Sequence, residues 1–138
     1  MASSPALAYI IVYVEDVEKS IAFYEKAFGL KTRMATGEKR TAWAEMETGS
    51  TTLAFTPKAQ RETALSGGVK SHDDSEAAPN VLVSFTYDDV NSAYKHAIDS
   101  GAKPCAEPEP KPWGMTAGYV KDIDGILVQI GSRVKKQQ

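Results

Sequence analysis

The sequence predicts an α+β fold made of two βαβββ modules. Three observations predict it. Read along the chain, the elements run strand, helix and three strands, then repeat in the same order after a polar stretch. Each helix opens on an acid, Asp16 in the first half and Asp88 or Asp89 in the second, with Asp16 and Asp89 73 residues apart. At that offset YIIVYVEDV lies over LVSFTYDDV, and the glycines that close the helices, Gly29 and Gly101, miss register by one residue. Two copies make a pseudo-repeat; a solenoid needs more.

Residues 7–14 (LAYIIVYV) are apolar and β-branched, as a strand requires. Asp16 then caps a helix by accepting backbone N–H bonds. Val17, Ile21, Tyr24, Ala27 and Phe28 recur at helical spacing, and Gly29 stops the helix. Residues 30–36, 40–47 and 50–56 read as shorter strands, with Gly37 and Gly49 in the turns. Module one thus covers about 5–56, and the polar residues 57–79, with Gly67–Gly68 and Pro79, read as a linker with a short helix around Glu62–Leu65. Module two covers about 80–131: a strand at 80–87, a helix with Val90, Tyr94, Ala97 and Ile98 on one face, and strands at 102–106, 115–121 and 126–131. Asp122, Asp124 and Gly125 make the last tight turn, and the tail RVKKQQ frays.

A chain of 138 residues, 42% apolar and 25% charged, is long enough to bury a core without a disulfide or metal staple. The net charge of −2 gives no basic excess, which disfavours nucleic-acid binding. One cysteine, Cys105, rules out an intrachain disulfide and a multi-cysteine zinc site. No apolar run reaches the roughly 18 residues of a membrane span. The start, MASSPALAYI, lacks the basic-then-apolar pattern of a secretory signal, so the expected compartment is the cytoplasm.

Alternation assigns strand residues to faces. Ile10, Val12 and Val14 share one face with the character of Leu53, Phe55, Val81, Val83, Phe85, Val128 and Ile130: all apolar, and expected beneath the helices. The other face is mixed: Tyr9, Ile11 and Tyr13; Thr52, Ala54 and Thr56; Leu82, Ser84 and Thr86; Leu127 and Gln129. Hydroxyls and aromatics without Lys or Glu suit an enclosed small-molecule cleft, and they also suit a partly wet sheet face.

VEDVEKSIAFYEKAFGL, YDDVNSAYKHAIDSGA and WGMTAGYVKDIDGILVQI, with the duplicated order, resemble the vicinal oxygen chelate superfamily. That group contains glyoxalase I, extradiol dioxygenases and bleomycin-resistance proteins. The resemblance implies that the modules build a curved, incomplete barrel around a cleft, and that the chain forms a homodimer. In the enzymes of the group, four inward side chains, usually His, Gln or Glu, bind one divalent ion. The matching positions here are Tyr9, Ala54, Leu82 and Gln129, and only Gln129 belongs to that ligand set. Shifting by one residue reaches Ala8, Ile10, Leu53, Phe55, Val81 and Val83, none a ligand. The chain therefore resembles most the metal-free members of bleomycin-resistance type.

Other residues add little chemistry. His72 sits in SHDDSE, which reads as a solvated loop, and His96 reads as an exposed helix residue. Cys105 has no recognisable base to make it a thiolate. DIDG lacks the remaining ligands of a calcium loop. Trp43 and Trp113, the latter in KPWG, can stack on flat ligands for about 0.5–1.5 kcal/mol each, or serve packing or a dimer contact.

The expected function is small-molecule binding in a metal-free cleft, through Tyr9, Tyr13, Trp43, Ala54, Leu82, Ser84, Trp113 and Gln129, with no catalytic residue and no cofactor. The partners expected are an unidentified small molecule and a second copy of the chain, without nucleic acid or membrane. A metal-dependent glyoxalase-like lyase or dioxygenase, and an interaction protein whose cleft is filled, are the alternatives.

Overall fold

The computed structural model describes residues 4–59, 69 and 77–133. The short helix expected near Glu62–Leu65, His72 and the tail past Arg133 lie outside the described residues. The elements are β1 (Tyr9–Val14), α1 (Val17–Phe28), β2 (Lys31–Thr36), β3 (Trp43–Glu47), β4 (Thr52–Pro57), β5 (Leu82–Thr86), α2 (Val90–Asp99), β6 (Lys103–Pro110), β7 (Thr116–Lys121) and β8 (Leu127–Gly131), with one 3-10 turn at Glu38–Arg40. The fold is α+β, with two open four-stranded sheets in the orders β1-β4-β3-β2 and β5-β8-β7-β6. In each, the outer pair β1–β4 or β5–β8 is parallel and the remaining pairs are antiparallel. Each sheet repeats the βαβββ order that the sequence predicts. Contacts group the chain into two units, the second of which begins at residue 71 and also takes in residues 26–28.

In the first unit, Asp16 accepts the Lys19 N–H at 3.1 Å and starts α1. Gly29 ends it in the left-handed region at φ 79°, donating its N–H to the Glu25 carbonyl. The apolar stripe of α1 buries Val17, Ile21 and Tyr24. The Tyr24 ring meets Phe55 of β4 at 4.8 Å, which fixes the helix on the apolar side of the sheet. Ala44, Met46 and Leu53 complete that core.

In the second unit, Asp89 accepts the Ser92 N–H at 3.0 Å, so Asp89 and not Asp88 is the cap. α2 packs over β6, β7 and β8. It ends on Ser100, with Gly101 following at φ 110°, the place where a glycine relieves the left-handed backbone. The Phe28 ring stands 5.4 Å from Phe85, and the Tyr87 hydroxyl donates to the Phe28 carbonyl at 2.6 Å. Burial pushes the Tyr87 phenol up to about 12.

Two expectations need amendment. The apolar face is buried at Val14, Val128 and Ile130, but at the strand starts Ile10 is 39% and Val81 65% exposed. β1 and β5 are edge strands, covered by a neighbouring strand on one side only. The strand expected at 102–106 runs to Pro110 despite Pro104, Pro108 and Pro110. β6 is also an edge, with register shifts on both sides of Ala106, and an edge strand accommodates residues that lack an N–H.

Candidate functional site

Strand pairing decides which side chains share a face. Along the parallel β1–β4 pair, Tyr9 lies beside Thr52, Ile11 beside Ala54 and Tyr13 beside Thr56. The step to β3 sets Glu45 beside Ala54, so Trp43, Glu45 and Glu47 project to that mixed side. β2 joins through a bulge: Thr32 opposes Met46 and Met34 opposes Glu45, leaving Arg33 as the extra residue. A bulge re-aims a neighbouring side chain.

Lys31 opposes Glu47, so the two-residue period already sets Arg33 on the mixed face, and the bulge brings Met34 round beside Glu45 as well. Arg33 Nη2 donates to Glu45 Oε1 at 2.6 Å and to Thr52 Oγ1 at 2.7 Å. Trp43 Nε1 donates to the other carboxylate oxygen, Glu45 Oε2, at 2.9 Å. Glu45 is 8% exposed, and its partners account for its burial. The hydrogen bond from Arg33, and next the one from Trp43, hold its carboxyl below the ordinary range, against the opposing effect of burial. The Tyr9 ring meets the Trp43 ring edge-on, with centroids 6.2 Å apart and planes at 66°. The Thr56 hydroxyl is buried with no hydrogen-bond partner among the described residues.

The mixed face of the second sheet is built the same way. Ser84 lies beside Gln129, and Gln129 beside Tyr119. Gln129 Nε2 donates to Ser84 Oγ at 2.8 Å. The Lys111 ammonium stands 5.4 Å from the Tyr119 ring centroid and 3.0 Å from Glu109 Oε1. Leu82 is 40% exposed at the start of β5. Trp113 occupies the turn before β7, which the Lys111 N–H closes on the Met115 carbonyl at 2.6 Å, and it is 56% exposed.

The structure therefore places Tyr9, Tyr13, Trp43 and Ala54 on the first mixed face, and Leu82, Ser84 and Gln129 on the second. It brings Tyr9 against Trp43 and Ser84 against Gln129, and sets Trp113 apart on a turn. His96 lies exposed on α2, a ring nitrogen 2.7 Å from the Lys26 carbonyl. Cys105 is exposed on β6. In DIDG, Asp122 Oδ1 accepts the N–H groups of Asp124 and Ile126 at 2.8 and 2.9 Å, which makes the string a turn. Arg33, Glu45, Tyr119 and Lys111 are the members of these faces that sequence reasoning missed. The alternation of Trp43, Glu45 and Glu47 with Ala44 and Met46 was the available signal for Glu45.

The positions that matching enzymes use for a divalent ion do not fit one here. Tyr9 offers a phenol, Ala54 and Leu82 offer no donor, and Gln129 supplies a single amide oxygen, its Nε2 being donated to Ser84. Among the described residues, no group of three or more His, Cys, Asp or Glu side chains is placed to hold a metal ion. No helix among them is long and apolar enough to cross a membrane.

Paired four-stranded sheets of this order, each with one helix and a mixed face, define a family architecture. The model of the Glyoxalase/Bleomycin resistance protein/Dioxygenase superfamily matches residues 6–130, and the chain belongs to that superfamily. Among solved structures, it is similar to a glyoxalase-related enzyme from Fulvimarina pelagi, with TM-score 0.76, 19% identity, and coverage of 93% of this chain and 88% of that one. It is similar to a glyoxalase/bleomycin resistance protein/dioxygenase family enzyme from Burkholderia phytofirmans, with TM-score 0.75, 18% identity, and coverage of 93% and 98%. A protein from Agrobacterium tumefaciens shows TM-score 0.74, 22% identity, and coverage of 97% and 98%. At these identities the likeness is one of fold. Among curated proteins, none matches the sequence.

Proposed function

We propose that the chain is a cytoplasmic small-molecule-binding protein of this superfamily, whose ligand is held by side chains of the mixed sheet faces and not by a divalent ion. One observation carries the reading. The four matching positions fall on the mixed faces, yet Tyr9, Ala54, Leu82 and Gln129 cannot together supply a metal's donor set. What those faces offer is aromatic surface, hydroxyls, an amide and a fixed guanidinium, the lining of an organic ligand site. The same reading includes a homodimer, supported by exposed apolar side chains on two edge strands: Ile11 within β1 is 44% exposed, and Val81, just before β5, 65%.

The test begins with elemental analysis of tag-free protein challenged with zinc, nickel, manganese and iron. Substoichiometric metal under every loading is expected. A thermal-shift screen with flat aromatic, thiol-conjugate and antibiotic ligands follows. A ligand at a hundred times its Kd stabilises the fold by about 2.7 kcal/mol, well within detection. One tightly held metal per chain, or a screen without any shift, overturns the reading.

A further inference from the structure

We draw no further inference here: the strongest candidate, the buried Thr56 hydroxyl that lies beside Tyr13 on the first mixed face without a hydrogen-bond partner among the described residues, is fully enclosed, and nothing in the structure shows what covers it or would open it to a ligand.

Discussion

Raising the pH should destabilise the second unit through one phenol. Tyr87 is half-buried, its hydroxyl donates to the Phe28 carbonyl at 2.6 Å, and burial moves its pKa from 10.0 to about 12. A phenol whose pKa is raised in the folded state contributes stability that is fully present below its unfolded value. That contribution is lost as pH climbs from about 10 through about 12. At about 1.4 kcal/mol for each tenfold change in proton affinity, and allowing for the solvent screening of a half-buried group, the loss amounts to about 1–2 kcal/mol by the end of that window. Other groups titrate there too, and Tyr94 is also raised, by burial first and then by Glu107 and Cys105. Tyr87→Phe isolates the effect, because those other groups are common to both proteins. Near pH 8 the variant should be less stable by about 1 kcal/mol, the net worth of one hydrogen bond. Above about pH 11 the order should reverse, since the variant has no phenol to ionise. Urea denaturation at several pH values measures the crossing, and tyrosinate absorbance near 295 nm counts the phenols that titrate late. A stability difference independent of pH, with all six tyrosines ionising together near 10, would refute the argument.

Two further substitutions test the packing. Phe55→Ala removes a fully buried ring that Tyr24 packs against at 4.8 Å, and should cost about 3–5 kcal/mol in denaturant unfolding. Gly118→Ala places a Cβ 3.0 Å from the ring and backbone nitrogen of Pro108, and should cost about 1–3 kcal/mol. If Gly118→Ala is silent, β6 yields more readily than its pairing with β7 suggests.

The module order was legible because its signals are local. A capping acid, an apolar side chain every three or four residues and a closing glycine each act within one turn of chain, so Asp16, the α1 stripe and Gly29 could be read directly. Face assignment was legible for the same reason, as a two-residue period carries Tyr9, Ala54, Ser84 and Gln129 to the mixed sides. Arg33 was not legible. It shares a face of β2 with Lys31, but that this face is the one looking toward Glu45 and Glu47 follows only from the pairing of β2 with β3. The extension of β6 was hidden likewise, since three prolines argue against a strand until its place at an edge is known. The exposure of Ile10 and Val81 also depends on sheet order, which no local pattern encodes.

The proline content of β6 bears on how the second sheet meets other polypeptides. Three of the eight residues of this outermost strand carry no N–H at all. An incoming strand needs donors and acceptors in regular alternation to zip along a margin. Here it would find carbonyls interrupted by pyrrolidine rings, with the ladder already out of step at the bulges. Growth of this sheet by fibril-like stacking is thus blocked at one end by covalent structure, and that block persists when the surrounding side chains are mutated or the protein is concentrated.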